Sequence, residues 1–331
     1  MPAERFLITG ALGCIGAWTV RNLVREGVPV VVFDLASDPR RLKLLMTPEE
    51  LAQVTFVSGD ITDLGALERT LDEQAITHVI HLAALQVPFC RADPPLGARV
   101  NVVGTVNVFE AVARRKARID RVVYASSIAV YDAADAATPG EPVTHDPGGK
   151  PATLYGVYKL ANEGTAHVYW REQGVSSLAL RPYTVYGVGR DQGLTSAPTR
   201  AMFAAAVGQP YRIPYGGRGD FDYADDVAKM FIACARVPFE GAEIFNIRGS
   251  VAHMREVVAA IEAAAPQARG TITFDEATIL PFPEEFDAAP LASLIGPLPH
   301  TPLPQATAET IAAFRSLVAR GLLAPNAMLQ G

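Results

Sequence analysis

The sequence has few cysteines and no long apolar segment. Its three cysteines among 331 residues, Cys14, Cys90 and Cys234, lie far apart and form no CxxC pair. We therefore expect neither a disulfide framework nor a metal site. Apolar runs such as residues 28–33 fall well short of the about 20 residues that a membrane-spanning helix needs. The start also lacks the features of a secretion signal, so we predict a cytoplasmic protein that binds no membrane.

Positive charges are outnumbered, because 29 Lys and Arg residues against 35 Asp and Glu residues give a formal net charge of -6. A negative chain is a poor candidate for binding nucleic acid, whose backbone selects basic surfaces. One basic cluster is present, formed by Arg114, Arg115, Lys116, Arg118 and Arg121. We interpret it as a solvated helix end, where cations complement the helix dipole.

The composition is that of a folded protein, with 49% apolar and 19% charged residues. Short apolar runs alternate with helical patterns through the first half. The runs are Phe6 to Thr9, Val28 to Phe33, Val54 to Val57, His78 to Leu82, Val122 to Ala125 and Ser177 to Leu180. This alternation predicts an α/β protein with a Rossmann-type, doubly wound parallel sheet. The first helix is expected to end at Gly27.

The second half is less regular. Residues 132–153 are rich in Ala, Asp, Gly and Pro and are predicted to be a long loop beside the site. A helical pattern over residues 225–235 precedes a strand at 243–247, and a last helix is expected to stop at Gly321. We predict an NAD-binding domain over 1–183 and 222–247. A smaller, discontinuous substrate-binding lobe is expected over 184–221 and 248–331.

The segment TGALGCIG, residues 9–16, follows the first strand and opens the first helix. In this context Gly10 permits a tight turn, Gly13 lets the backbone approach a pyrophosphate, and Gly16 lets helix and strand pack closely. The helix N-terminus adds free N–H groups and a positive dipole end. The residues predicted to bind the cofactor here are Gly10, Gly13, Cys14, Ile15 and Gly16.

Asp34 ends the second strand, about 20 residues beyond this turn, where a carboxylate can accept hydrogen bonds from both hydroxyls of an adenosine ribose. The same carboxylate repels a 2′-phosphate, so NAD is favoured over NADP as the cofactor. Arg40 and Arg41 follow and are interpreted as surface charges on a loop.

The segment YGVYK places Tyr155 and Lys159 four residues apart, on one face of a helix. A nearby ammonium favours the phenolate of a tyrosine, which can then act as a general base. Tyr158 points to another face and is expected to pack. Ser127, in YASSIAV, follows the fifth strand at the carboxyl edge of the sheet, where its hydroxyl can hold a substrate oxygen.

Together these motifs resemble the extended short-chain dehydrogenase/reductase family, which contains nucleotide-sugar epimerases and dehydratases. Further matches are GDITD at residues 59–63, HLAA at 81–84, NVVGTVN at 101–107, RPYTVYG at 181–187 and DYADDVA at 222–228. The resemblance implies that the catalytic serine is Ser127, that His81 is structural, and that the protein is a homodimer built from the helices over 101–114 and 155–170. It also implies further cofactor-binding residues: Asp60, Ile61, Leu82, Ala83, Ala84, Asn101, Tyr155, Lys159, Tyr183 and Val185.

Departures from the family pattern concern the substrate. Thr184 and Gly219 stand where nucleotide-sugar members usually carry an asparagine and an arginine that meets the diphosphate, and Arg218 is a possible substitute. Ile128 and Ala129 replace the acidic pair that is typical of dehydratases. A diphosphate-linked sugar and a dehydration are therefore both disfavoured. The candidate substrate contacts are Gln86, Thr184, Arg190 and Arg218.

Three functions stay open on the sequence. The first is NAD-dependent hydride transfer to or from a hydroxyl or carbonyl of a sugar-like or sugar-acid substrate, with Tyr155 as the base. The second is an epimerase that keeps its NAD and returns the hydride to the other face. The third is a non-catalytic dinucleotide-binding or sensing protein on the same fold.

Overall fold

The computed structural model describes residues 4–132, 142–144 and 149–329. The β-strands of these residues are β1 (Phe6–Thr9), β2 (Val30–Asp34), β3 (Thr55–Ser58), β4 (His78–His81), β5 (Arg121–Ala125), β6 (Ser176–Arg181), β7 (Thr184–Tyr186), β8 (Tyr211–Ile213), β9 (Arg218–Tyr223), β10 (Ala242–Asn246), β11 (Ser250–His253) and β12 (Ile272–Phe274). Seven of them form one parallel sheet in the order β10–β6–β5–β4–β1–β2–β3. The predicted doubly wound sheet is confirmed, and each apolar run singled out in the sequence forms one of its strands.

Helices alternate with these strands. The α-helices of the described residues are α1 (Cys14–Arg25), α2 (Arg40–Leu45), α3 (Pro48–Leu51), α4 (Leu64–Glu73), α5 (Val87–Ala92), α6 (Pro94–Ala98), α7 (Gly104–Ala113), α8 (Leu154–Gln173), α9 (Ala197–Val207), α10 (Ala224–Arg236), α11 (Met254–Ala264), α12 (Ala289–Ile295) and α13 (Leu303–Ala319). A π-helical stretch, Arg99–Val103, joins α6 to α7. Among the residues that the structure describes, no helix combines the length and the apolarity needed to cross a bilayer.

The sheet is apolar on both faces, as a parallel sheet covered by helices requires. Successive side chains of β1 point to opposite faces, so Phe6 and Ile8 join one buried cluster and Leu7 joins the other. Helices α1 and α10 cover the first face, and α4 and α7 cover the second. Strands β1 and β4 lie at the centre, where the winding changes direction, and ligands of such sheets bind at the carboxyl ends of strands at this point.

The irregular second half folds into small elements beside this sheet. Strands β7, β9 and β11 form a three-stranded sheet, and β8 pairs with β12. The sequence pattern missed most of them because strands of three residues and the almost uniformly apolar helix α9 show no amphipathic period. The predicted domain boundary at residue 222 falls inside β9. The last helix is followed by Gly321, which has a φ of +70°, as expected of a helix stop.

Two sequence interpretations need correction or restriction. The basic cluster is not simply a solvated helix end, because Arg114 contacts Glu68 at 2.8 Å and Arg115 contacts Asp72 at 2.6 Å, which ties it to helix α4. Much of the predicted loop over residues 132–153 lies outside the described residues. Within its described part, Val143 forms an isolated bridge to Phe286.

Candidate active site

The turn between β1 and α1 accepts only glycine at two positions. Gly10 has a φ of +67°, and a Cβ there would lie 2.5 Å from the backbone nitrogen of Ala83, which follows β4. A Cβ on Gly16 would lie 2.5 Å from the carbonyl oxygen of Gly10. The turn is therefore pressed against both the helix and the neighbouring strand, as the sequence predicted.

Helix α1 begins at Cys14 with no side-chain cap on its N-terminus and no acidic residue in its first turn. Its first N–H groups and positive dipole end therefore lie at the carboxyl edge of the sheet with no capping side chain on them. The donors and the close backbone approach fit a pyrophosphate. This is the arrangement that the dinucleotide fingerprint predicts.

Asp34 lies beside this turn at the end of β2. Its Oδ2 accepts from the backbone N–H of Leu12 at 3.0 Å, and its Oδ1 accepts from that of Ala36 at 3.0 Å. These two bonds hold the carboxylate at the sheet edge, where it fits the two hydroxyls of a ribose. The turn and Asp34 together fit the adenosine and diphosphate portions of NAD.

Arg40 and Arg41 do not lie on a loop, as the sequence interpretation had it. They form the first turn of α2, and both contact the carboxylate of Asp191, Arg40 at 2.9 Å and Arg41 at 2.5 Å. The interpretation was wrong because their partner lies 150 residues away along the chain.

His81 is the last residue of β4, and its ring is held between two threonine hydroxyls. Its Nδ1 lies 2.6 Å from the hydroxyl of Thr9, and its Nε2 lies 3.0 Å from the hydroxyl of Thr105. Burial lowers the pKa of His81 to about 3, so the ring is neutral at physiological pH. Both ring nitrogens are engaged within the protein, which agrees with the structural role that the resemblance implied.

Asn101 lies in the π-helical stretch, and its side chain makes hydrogen bonds to the segment after β4. Its Oδ1 accepts from the N–H of Leu85 at 2.7 Å, and its Nδ2 donates to the carbonyl of Leu85 at 2.9 Å. The side chain therefore holds the backbone that continues from Leu82, Ala83 and Ala84. A cofactor contact of Asn101 stays a prediction.

Asp60 and Ile61 occupy the turn after β3. Asp60 Oδ1 accepts from the N–H of Thr62 at 2.8 Å, and the Ile61 carbonyl accepts from Nδ2 of Asn107 at 3.0 Å. Ile61 packs so closely on helix α7 that a Cβ on Gly104 would lie 2.5 Å from its Cδ1. These contacts fix the turn at the same sheet edge as Asp34.

The catalytic candidates converge between β5 and α8. Ser127 caps the short helical turn over Ile128–Val130, and its hydroxyl accepts from the N–H of Ala129 at 3.1 Å. Tyr155 lies in the first turn of α8, close enough to the Ser127 side chain for that side chain to lower the pKa of its hydroxyl. Helix α8 can approach this closely because the residue after the tyrosine is Gly156, where a Cβ would lie 2.0 Å from the carbonyl oxygen of Ala129.

Lys159 lies one helical turn after Tyr155 and is buried. Its Nζ donates to the carbonyl of Ala125 at 2.6 Å and lies 5.6 Å from the centroid of the Tyr155 ring. Burial lowers the pKa of Lys159 to about 8. The sequence therefore placed this pair correctly on one helix face.

The electrostatics of Tyr155 differ from the sequence expectation. Burial raises the pKa of its hydroxyl, and the Ser127 side chain and the charge of Arg190 act in the opposite direction. Lys159 was expected to lower this pKa, whereas its ammonium is directed to the carbonyl of Ala125. Arg190 is thus the protein cation that acts on the phenol.

A buried ionic network supports the site, and sequence reasoning missed it. Glu163 accepts from Nε and Nη2 of Arg181, each at 2.7 Å, and also from the hydroxyl of Ser126. Arg181 further contacts Tyr131. The available signal was spacing, because Glu163 follows Lys159 by four residues on the face that carries Tyr155.

The structure brings two of the four substrate candidates together. A Cβ on Gly193 would lie 2.7 Å from Gln86 Oε1 and 3.7 Å from an Arg190 Nη, so these side chains flank one glycine. Arg190 also donates to the hydroxyl of Thr195 at 2.7 Å. The charge of Arg190 also acts on Tyr155, so of these two candidates Arg190 is the one that the electrostatics link to the catalytic pair.

The other two substrate candidates, Thr184 and Arg218, contact different residues from Gln86 and Arg190. Thr184 is 2% exposed within β7, next to Tyr183, whose ring packs edge-on against Phe282 and Phe286. Val185, the other predicted nicotinamide neighbour in this strand, is also buried. Arg218 lies by an open cavity of about 570 Å³, and the lining of this cavity includes Arg248, Ser250, Asp287 and His300.

A doubly wound sheet with a phosphate-binding turn and a Ser–Tyr–Lys site defines a dinucleotide-dependent enzyme. Residues 6–247 match the sequence model of the NAD dependent epimerase/dehydratase family, and the chain belongs to that family. It is an enzyme with NAD as its cofactor, as predicted. The alternative of a non-catalytic dinucleotide-binding protein is set aside.

Individual proteins extend the comparison. A UDP-glucose 4-epimerase of Mycolicibacterium smegmatis is 34% identical over 268 residues, which cover 78% of this chain and 82% of that protein. UDP-glucuronate 4-epimerase 5 of Arabidopsis thaliana is 33% identical over 230 residues, which cover 67% of this chain and only 52% of the plant protein. The structure of MoeE5 in complex with UDP-glucuronic acid and NAD superposes with a TM-score of 0.78 at 29% identity, covering 95% of this chain and 99% of that one.

Proposed function

We propose that this enzyme transfers a hydride between NAD and a hydroxyl or carbonyl of a sugar-like or sugar-acid substrate, with Tyr155 as the general base. The observation that carries the proposal is the convergence of Ser127, Tyr155 and Lys159 between β5 and α8, where the Ser127 side chain lowers the pKa of the Tyr155 hydroxyl and buried Lys159 donates to the carbonyl that ends β5. In the oxidising direction, the substrate hydroxyl proton passes to the Tyr155 oxygen while Ser127 donates a hydrogen bond to the substrate oxygen.

NAD supplies the hydride acceptor when it is bound. The glycine turn and Asp34 would hold its adenosine diphosphate portion, and Leu82, Ala83 and Ala84 after β4 would contact it on the way to Tyr155. The positive charge of Arg190 lowers the pKa of the phenol, which favours the phenolate at the moment of proton transfer, while Lys159 lies beside the ring and donates to the carbonyl of Ala125. We assign Tyr183 and Val185, which are buried at the start of the second lobe, to the nicotinamide end of the cofactor site.

The direct test is the absorbance at 340 nm of purified protein with candidate sugars and sugar acids. Accumulating NADH supports a net dehydrogenase. Interconversion of substrate epimers without net NADH, measured by product chromatography, supports an epimerase that keeps its cofactor. Absence of both reactions across neutral sugars, sugar acids and UDP-linked sugars contradicts the proposal.

The epimerase is kept as a second candidate because two relatives that are 33–34% identical are named as 4-epimerases of UDP-glucose and UDP-glucuronate. It uses the same side chains and differs in the face of the transient ketone that receives the hydride back. For this chain, a nucleotide-linked substrate has to be tested separately from the hydride chemistry.

The arginines by the cavity argue against a diphosphate-linked substrate. Arg218 lies 3.5 Å from Glu285 and 3.8 Å from Glu284, and Arg248 lies 2.6 Å from Glu285. A diphosphate brought here would have to displace these carboxylates or face them. We therefore favour a substrate without a nucleotide.

Calorimetric titration with UDP alone tests this preference. We expect no saturable binding to the wild-type enzyme in the millimolar range, and weak binding to emerge in the double variant Glu284→Gln/Glu285→Gln. Tight UDP binding by the wild type would instead support a nucleotide-sugar epimerase.

We also propose the homodimer and the division of labour that the sequence suggested. Helix α8 exposes Val157 and Val168, which are 44% and 48% exposed and lie three turns apart on one face, and Val103 before α7 is 48% exposed. A packed partner would cover these residues. Light scattering should give a dimer that Val168→Glu weakens.

Residues 1–183 and 222–247 are proposed to bind NAD, and residues 184–221 and 248–331 are proposed to contact the substrate.

A further inference from the structure

Asp191 joins the segment after β7 to the cofactor-binding end of the sheet. Its Oδ2 accepts from Arg40 Nη2 at 2.9 Å, and its Oδ1 accepts from Arg41 Nη2 at 2.5 Å and from Arg41 Nε at 3.2 Å. The side chains of Arg41 and Asp191 are only 14% and 21% exposed. One carboxylate therefore engages two guanidinium groups in a partly buried cluster.

This cluster lies next to the ribose-binding carboxylate. Arg41 Nη1 donates to the carbonyl of Leu12 at 2.9 Å, and the N–H of Leu12 donates to Asp34 Oδ2 at 3.0 Å. Arg41 and Asp34 thus bind the carbonyl and the N–H of the same residue, Leu12, in the phosphate-binding turn. An anion added to the ribose beside Asp34 would lie near both arginines.

The chain segment that carries Asp191 is fixed on the same surface. The indole N–H of Trp18 donates to the carbonyl of Val188 at 2.9 Å. A Cβ on Gly189 would lie 3.6–3.8 Å from side-chain carbons of Arg41, which is ordinary packing distance. Asp191 is therefore held in place by its neighbours as well as by its ion pairs.

We propose that Asp191 determines the preference for NAD over NADP by engaging Arg40 and Arg41. Recognition of a 2′-phosphate requires a cation that can turn its donors to the phosphate, and arginine is the usual one. Arg40 already directs its Nη2 to Asp191, and Arg41 directs its Nε and Nη2 there and its Nη1 to Leu12. Asp34 and Asp191 also carry two negative charges, which offset the two positive charges of Arg40 and Arg41. The pocket therefore offers a dianionic phosphate no net attraction.

Cofactor binding tests this role of Asp191 without any substrate. We would titrate NAD⁺ and NADP⁺ calorimetrically into the wild type and Asp191→Asn. The amide keeps the size of the side chain and releases the charge, so NADP⁺ should bind about tenfold tighter, equal to about 1.4 kcal/mol. NAD⁺ affinity should change by less than about threefold.

Asp38→Asn is the matched control. Asp38 lies in the same region. Its contact with Lys43 is long, at 3.9 Å, and its side chain is 66% exposed. Its replacement makes the same change in net charge and releases neither arginine. We expect NADP⁺ binding to change by less than about twofold, because exposed charges are screened.

Two further variants extend the test, and each is read as the ratio of NADP⁺ to NAD⁺ affinity so that an effect of Arg41 on the phosphate-binding turn cancels. Arg40→Ala/Arg41→Ala removes the cations and leaves Asp34 and Asp191 in place, so this ratio should not rise above that of the wild type. The triple variant that adds Asp191→Asn should lose the tenfold gain in the ratio. No gain in Asp191→Asn, an equal gain in Asp38→Asn, a gain in Arg40→Ala/Arg41→Ala, or a gain that survives in the triple variant each overturns the proposal.

Discussion

The Nζ of Lys159 lies 5.6 Å from the centroid of the Tyr155 ring. The two side chains share one face of α8, yet the ammonium donates to the carbonyl that ends β5. Lys159 therefore links the helix that carries the base to the strand that leads to Ser127. Its charge and its position both bear on the site, and they can be separated experimentally.

Replacing Tyr155 by Phe should abolish the proton transfer and leave the cofactor site intact. Because positioned general bases contribute about 100- to 10,000-fold, kcat should fall within that range while the Kd for NAD changes by less than about threefold. Stopped-flow or steady-state absorbance and calorimetric NAD binding give the two readings. Tyr158→Phe is the control, since that hydroxyl donates to the Pro94 carbonyl at 3.0 Å; it should retain wild-type turnover. Normal turnover in Tyr155→Phe would assign the base elsewhere.

Replacing Lys159 by Met should remove activity and raise stability. The fall in the pKa of Lys159 from its usual 10.5 to about 8 corresponds to a penalty of about 3 kcal/mol in the free energy of unfolding at neutral pH. Loss of its hydrogen bond to Ala125 costs about 1 kcal/mol, which leaves a net gain of about 2 kcal/mol.

The pH dependence of this gain follows from the direction of the change. The folded-state pKa lies below the unfolded-state value, so the penalty is fully present below pH 8 and disappears as the pH rises to about 10.5. Urea unfolding at several pH values should show the advantage of the variant shrinking over that window. Lys116→Met is the control, because exposed Lys116 also donates to a backbone carbonyl, that of Gln173 at 2.9 Å. A gain independent of pH would contradict the assignment to buried charge.

Two glycines of the phosphate-binding turn should respond differently to alanine. In Gly16→Ala the new Cβ meets backbone at 2.5 Å, so we expect a loss of about 1–3 kcal/mol in stability together with loss of NAD binding. In Gly13→Ala the new Cβ meets only the Gly10 carbonyl at 3.1 Å, so stability should fall by less than about 1 kcal/mol while NAD binding is still weakened. Thermal unfolding and calorimetry distinguish the two. Equal loss of stability in both variants would mean that Gly13 serves packing and not the pyrophosphate.

Much of the sheet and of the reacting residues could be predicted because the signals are local. Strands at regular intervals, glycines in the first turn and the Tyr155–Lys159 spacing each lie within a few consecutive residues. The contacts that escaped prediction join distant segments, such as Asp191 with Arg41 or Glu163 with Arg181. No local pattern encodes such pairs, because their geometry exists only after the chain has folded. Most strands of the small second lobe were not predicted for a related reason, because they are too short to show a periodic pattern.

The Glu163–Arg181 pair offers the sharpest contrast between a buried and an exposed ion pair. Glu163→Gln keeps the shape of the side chain but leaves the Arg181 guanidinium, which is 4% exposed, without its carboxylate. Removing one partner of a buried pair costs about 3–5 kcal/mol. Urea unfolding should show a loss of that size. The control is Glu110→Gln, whose partner Arg114 is 51% exposed, and it should cost less than about 1 kcal/mol.

The same variant separates a positioning role of Glu163 from a purely structural one. Glu163 accepts from Ser126, which precedes Ser127, so a shift of this contact should lower kcat more than it raises KM. Glu163→Asp, which restores the charge one methylene further back, should recover part of kcat even if stability stays low. If kcat is unchanged wherever the Glu163→Gln enzyme is still folded, the network holds the fold together but does not position the serine.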